Sequence, residues 1–242
     1  MYNKYSSEAC LFTLQMYNLI IIQGVTMSQN AAFSEGNDTF QNSYFKNHEQ
    51  ELLDLAKNGQ HPKALFIGCA DSRVVPNLIT QSAPGDLFVL RNVGNLIAPY
   101  SPDEEFHATA SGIEYAVSAL KVSEIIICGH THCGAVHAMF TEIDSPSLIH
   151  TKKWLALGMK AKKFALLSLG KDADKEKLYR LTEKLSVVSQ IEHLLTYPDV
   201  KKAVDLDQIH IHGWVYDIES GEIEYYDPDA GSFKSLSKLE KK

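Results

Sequence analysis

The run Ala64-Leu65-Phe66-Ile67-Gly68-Cys69-Ala70-Asp71-Ser72-Arg73 opens apolar after Pro62 and turns polar immediately beyond Cys69. An unbroken apolar stretch with no polar alternation suits a strand buried on both faces, as in a parallel sheet covered by helices. Two further stretches repeat the pattern. Leu87-Phe88-Val89-Leu90 follows Pro84-Gly85 and ends at Arg91-Asn92, and Ile125-Ile126-Ile127-Cys128 ends at Gly129-His130. Between them, Ser101-Pro102-Asp103-Glu104 predicts a helix start with acids in its first turn. Phe106, Ile113, Val117 and Leu120 then fall on one stripe. Strand, helix and strand in this order predict an α/β fold with a mostly parallel central sheet flanked by helices.

Upstream, Phe45 through Ala56 carries apolar residues at helical spacing and stops at Asn58-Gly59. Downstream, Trp154–Leu167 and Leu178–Leu195 predict helices, the second ending near Tyr197-Pro198. Ile209–Val215 alternates, Ser220-Gly221 turns the chain and Ile223–Tyr226 returns, which predicts a C-terminal β-hairpin. Lys234–Lys242 reads as a solvated end. Residues 1–26 hold one lysine and the short aliphatic run Leu19–Ile22, too little for an export signal or a membrane span. They read as a poorly packed upstream extension, or alternatively as an N-terminal arm that helps a partner subunit, with residues 27–242 a single α/β domain.

Composition narrows the function. Among 242 residues, 23 Lys and Arg face 30 Asp and Glu, a net charge of −7. No basic block supports a nucleic-acid partner, and no apolar run supports a membrane one. Four cysteines are too few for a disulfide framework.

Cys69 and His130 each fall just after a predicted strand, and open α/β sheets gather ligands beyond the carboxyl ends of their strands. Cys133 follows His130 by three residues. Singly, Cys69 reads as a small buried hydrophobe and His130-x-x-Cys133 is a weak signal. Together they form a donor set suited to tetrahedral Zn²⁺ with a fourth position open, the mark of a catalytic site. Cys128 reads as core, and Cys10 has no assigned role. Asp71 lies two residues beyond Cys69, and Arg73 can hold it by a bidentate pair. As a surface pair these two would be worth ~0–1 kcal/mol; beside a metal, Asp71 becomes an ionised proton acceptor.

Cys69-x-Asp71-x-Arg73 with His130-x-x-Cys133-Gly134 resembles the β-class carbonic anhydrases. The likeness runs from about Gln60 to Val136 and more loosely through Ile209–Tyr216. It includes Pro84-Gly85-Asp86, Arg91-Asn92-Val93 and Glu114-Tyr115-Ala116-Val117. It implies a zinc-dependent enzyme, with one Zn²⁺ per subunit on Cys69, His130 and Cys133. The implied reaction is reversible hydration of CO₂ to bicarbonate and a proton by zinc-hydroxide attack. Two thiolates cancel the formal charge of Zn²⁺ and weaken its pull on water, so Asp71 held by Arg73 must favour the hydroxide.

The resemblance also implies a substrate pocket. Gln60 would donate to a substrate oxygen, and Phe88, Val93 and Tyr115 would line an apolar CO₂ wall. Phe88 and Tyr115 would reach across the interface of a homodimer or a dimer of dimers. Gly134 would allow close backbone approach beside the metal. Members whose Asp closes onto zinc carry Trp where this chain has Phe66; with Gln60, this implies the plant-type open site, and Asp71 would bind zinc only in a closed form. His132 reads as a solvent-facing turn residue rather than a proton shuttle, and His210 and His212 as hairpin residues. The thiol ligands suit a reducing cytoplasm. Two other functions stay open: hydrolysis of carbon disulfide or carbonyl sulfide on the same site, or a non-catalytic zinc-binding regulatory role.

Overall fold

The computed structural model describes residues 31–239 apart from Glu104 and Phe106. The extension expected over residues 1–26, with Cys10, lies outside the described residues, as does Phe106 of the expected stripe. The chain divides into two compact units, one ending at Leu53 and the other beginning at Asp54. In the first, helix α1 (Ala31–Phe40) runs into a π-helical turn at Gln41–Phe45. Tyr44 stacks there on His48 with ring centroids 4.1 Å apart. Helix α2 (Glu49–Asn58) spans the boundary, and Gly59 stops it at φ 82, a left-handed value that glycine adopts without strain.

The second unit holds a six-stranded sheet: β1 (Ala64–Cys69), β2 (Leu87–Asn92), β3 (Glu124–His130), β4 (His210–Tyr216), β5 (Ile223–Asp227) and β6 (Ser232–Ser235). The spatial order is β2-β1-β3-β4-β5-β6. β1 pairs in parallel with β2 and β3, and β3 with β4, whereas β4–β5 and β5–β6 are antiparallel. The expected α/β architecture is therefore present, with two corrections at its end. The hairpin extends to a third strand, and part of the tail read as solvated, Lys234 and Ser235, belongs to β6. Phe233 anchors that strand, its ring 5.5 Å from Tyr226.

The apolar runs of β1 and β3 are buried on both faces, as continuous hydrophobicity demands, whereas the run of β2, at the edge of the sheet, is only half-buried. Leu65, Ile67, Ile125 and Ile127 are fully buried in one cluster, while Phe66 and Cys128 are fully buried in another. Helices α3 (Pro76–Thr80), α4 (Ala108–Glu114), α5 (Gly134–Met139), α6 (Ile149–Leu155), α7 (Met159–Leu169), α8 (Lys175–Leu194) and α9 (Pro198–Asp205) complete the unit.

The helix expected from Ser101 begins instead at Ala108. The Asp103 carboxylate accepts from Ser101 Oγ and the Glu105 amide and meets His107 Nε2, so the acidic segment closes as a local turn. The helix expected over Trp154–Leu167 begins earlier, at Ile149, and a 3₁₀ turn at Ala156–Gly158 divides it. Pro198 opens a further helix, where its fixed φ and missing N–H cost nothing.

The chain leaves β1 for β2 on one side, then crosses to β3 on the other. The carboxyl end of β1 is thus a topological switch point, where open α/β sheets leave a crevice.

Candidate metal centre

Cys69 is the last residue of β1 and His130 the last of β3, so both end strands rather than follow them. Register sets Gly68 opposite Cys128, which brings the two strand ends side by side. Cys133 caps the start of α5 with an extended backbone, after a tight turn in which His132 takes φ 58. The two sulfurs and one ring nitrogen lie within 4.8 Å of one another, and all three residues are buried.

The histidine is oriented by its main chain. His130 Nδ1 lies 2.8 Å from the Thr131 carbonyl oxygen. A carbonyl only accepts, so Nδ1 donates and Nε2 faces the sulfurs. That Nε2 is buried and has no hydrogen-bond partner within the protein. Metal-binding histidines are fixed in this way by the second nitrogen.

The electrostatics favour a cation. Cys69 is drawn down to about 4, first by the Cys133 thiol donating to its sulfur; burial opposes this, and His130 and the amides of Asp71 and Gly94 reinforce it. Cys133 is pushed far up by that same contact and by burial. Burial opposes charge on His130, yet the Cys69 sulfur, the Thr131 carbonyl and Asp71 raise its pKa. Two sulfurs and an orphaned nitrogen at this spacing fit tetrahedral Zn²⁺.

Asp71 and Arg73 are paired along two edges, Nε to Oδ1 at 2.9 Å and Nη2 to Oδ2 at 2.8 Å. The Arg73 side chain holds the Asp71 carboxyl well below the usual carboxylate range, with its backbone amide adding to the effect against modest burial. Arg73 Nη2 also donates to the His132 carbonyl at 3.1 Å, tying the two halves of the centre together. Asp71 Oδ2 lies 3.9 Å from His130 Nε2.

The other residues singled out from sequence separate into two groups. Val93 immediately follows β2, and its carbonyl accepts from Trp154 Nε1 at 2.8 Å. Gly134 opens α5 beside the metal-binding cluster, and a Cβ there would meet nothing within 4 Å. The close approach expected of Gly134 is therefore not to any described atom of this chain. Phe88 is the second residue of β2, opposite Leu65, which precedes Cys69 by roughly 13 Å of strand at ~3.3 Å per residue. Its ring lies 5.8 Å from that of Tyr115. Gln60 is exposed in the loop ahead of β1. Phe88 and Tyr115 lie against each other, and no hydrogen bond or ring contact joins them or Gln60 to Cys69, His130 or Cys133.

His132 is partly exposed, and its Nε2 lies 3.4 Å from Glu219 Oε1. His212 pairs with Glu124 at 2.6 Å, and His210 is exposed. Cys128 is fully buried, which pushes its thiol up to about 12.

Three residues make contacts not expected from the sequence. Arg91 at the end of β2 donates to the carbonyls of Cys69 (3.0 Å) and Asp71 (2.6 Å), bracing the segment between them. The Gly94 amide approaches Cys69 Sγ at 3.4 Å from φ 77, and a Cβ there would lie 2.8 Å from that of Ala135. Glu183 on α8, 2% exposed, accepts from the Cys133 amide at 3.0 Å. Burial pushes its carboxyl up to about 7, although the Cys133 amide and Arg180 draw it down. Arg91 is visible as a charge ending an apolar run, whereas Glu183 shares the buried side of its helix with Thr182, Ser186 and Gln190 and carries no such signal.

Residues 64–223 match the carbonic anhydrase family model. A carbonic anhydrase of Synechocystis is 39% identical over 195 residues, covering 80% of this chain and 69% of that protein. The solved β-carbonic anhydrase CcaA aligns at TM-score 0.76 and 36% identity, over 86% of this chain and 92% of its own. One of two tetrameric β-carbonic anhydrases from Sordaria macrospora aligns at TM-score 0.72 and 27% identity, over 85% of this chain and 95% of its own. With the family model matched over residues 64–223 and a β-class structure aligned over 86% of the chain at 36% identity, the chain belongs to the β class of the carbonic anhydrase family.

Proposed function

We propose that this chain catalyses the reversible hydration of CO₂ to bicarbonate and a proton, with Cys69, His130 and Cys133 holding one Zn²⁺ per subunit. The observation that carries the proposal is the buried Nε2 of His130, turned toward two sulfurs without a hydrogen-bond partner. Bound zinc supplies Lewis acidity, which makes a water nucleophilic near neutral pH.

The chain's own residues do the rest. Arg73 keeps Asp71 ionised, so its carboxylate can accept a proton from the attacking water and orient it. Arg91 fixes the Cys69 and Asp71 carbonyls and thereby the spacing between ligand and acceptor. Exposed Val93 supplies an apolar wall suited to an uncharged substrate, beside the open surface at Gly134.

Gln60, Phe88 and Tyr115 would serve the site of a second copy, in a homodimer or a dimer of dimers. Val75, Leu78, Val93 and Tyr115 stay 42–65% exposed near edge strand β2, which supports such a pairing. Among the described residues no helix is long and apolar enough to cross a membrane. The buried free thiols Cys69, Cys128 and Cys133 support a reducing cytoplasm as the compartment.

Stopped-flow CO₂ hydration by purified protein, with zinc content measured alongside, tests the reading. Wild type should turn over with one zinc per chain, and Cys69→Ser should lose both zinc and turnover. Zinc-loaded wild type without hydration would sink the reading.

A further inference from the structure

Helix α8 is held against the sheet by Val187, fully buried over two strand glycines. A Cβ on Gly129 of β3 would lie 2.8 Å from Val187 Cγ2, and one on Gly213 of β4 would lie 2.9 Å from Val187 Cγ1. No other residue type leaves room for that approach. Gly129 is the residue before His130, so the helix docks directly beneath the metal-binding end of β3. One helical turn before Val187, Glu183 faces the same way.

Glu183 Oε1 accepts from the Cys133 amide at 3.0 Å, and Arg180 Nη1 lies 3.2 Å from Oε2. Cys133 is 2% exposed, so without this acceptor its N–H would be buried and unmatched. A carboxylate buried this deeply is unfavourable in itself. Its position is explained by what it holds: the main chain of Cys133, whose sulfur must point at Cys69 and His130.

We infer that Glu183 is a positioning residue that sets the affinity of the Cys69–His130–Cys133 centre for its metal, by fixing the Cys133 backbone through one hydrogen bond. The inference rests on the proposed zinc site. The acceptor role belongs to Oε1; glutamine keeps that oxygen but turns its Nε2 toward Arg180, so it should keep the role in part, and alanine should lose it.

The test measures zinc affinity by chelator competition on wild type, Glu183→Gln and Glu183→Ala, with the thiolate-to-metal absorption of the cobalt-loaded proteins. Loss of a residue that orients a metal ligand typically costs 10–100-fold in affinity. Glu183→Ala should lose that much and shift the cobalt spectrum, while Glu183→Gln, which keeps the acceptor oxygen, should lose less. If alanine does not fold, Glu183→Asp, one methylene too short to reach the amide, should show the same loss. Wild-type affinity in the alanine or aspartate variant overturns the inference, as does an equal loss in the glutamine variant. Wild type that binds no zinc overturns the underlying site and the inference with it.

Discussion

Arg73 and Asp71 meet edge to edge, two parallel N–H···O contacts at 2.9 and 2.8 Å fixing the carboxylate plane beside His130. Lysine offers no such fork. Replacing Arg73 with Met should therefore free Asp71 to rotate and lower kcat/KM by about 10–100-fold, the usual cost of removing a group that orients a metal-site residue. Zinc content should be unchanged. Stopped-flow assays with metal analysis check both, and undiminished turnover would refute the orienting role.

Arg73 lowers the Asp71 pKa in the folded protein. A depressed carboxyl contributes stability that is present above its unfolded pKa of ~3.9 and is lost as pH falls through the folded value. Wild-type Asp71 therefore stays charged across pH 5–8, and activity changes in that range do not report its titration. In Arg73→Met the folded pKa moves back up, so this contribution disappears. Acid unfolding monitored by circular dichroism should begin at higher pH in the variant; identical acid midpoints would contradict the assignment.

Removing zinc should destabilise the fold, since the three donors come together only when β1 and β3 are paired. A ligand at a hundredfold its dissociation constant adds about 2.7 kcal/mol. At ~2–4 °C per kcal/mol for a chain of this size, calorimetry should show Tm falling by about 5–10 °C after chelation. Chelation should move the Tm of a Cys133→Ser variant far less. An unchanged wild-type Tm would count against a metal held by these residues.

Gly129→Ala would push a methyl into Val187, whose Cγ2 lies 2.8 Å from the new Cβ. Overpacking of this kind costs about 1–3 kcal/mol. Adding Val187→Ala should recover part of that loss, giving a nonadditive double-mutant cycle in urea melts. Strict additivity would show that helix and strand are not in contact there.

Much of this architecture was legible because parallel strands carry unbroken apolar runs, and three such runs mark β1 and β3, which are buried, and β2, which is half-buried at the edge. The ligands were legible for a related reason: Cys69 and His130 are polar donors ending those runs. Other features depend on partners distant in sequence. Asp103 resembles the start of a helix, but Ser101, Glu105 and His107 use its carboxylate in a turn. Strand β6 has only Phe233 as an apolar anchor, and pairing with β5 supplies the order its own pattern lacks. Glu183 is 50 positions from Cys133, so no local spacing announces their contact.

Val93 follows the carboxyl end of β2 and Gly134 follows Cys133, whereas Phe88, with Tyr115 against it, lies near the start of β2 and Gln60 in the loop before β1. On the proposed reading, a lone subunit then has a metal without a complete pocket and a half-pocket without a metal. Its output would not scale linearly with its amount. Specific activity should decline on dilution, following the dissociation curve of the pair, and two inactive variants, one defective at Cys69 and one at Tyr115, should regain activity when mixed. The enzyme's catalytic unit would be a concentration-dependent population rather than a chain.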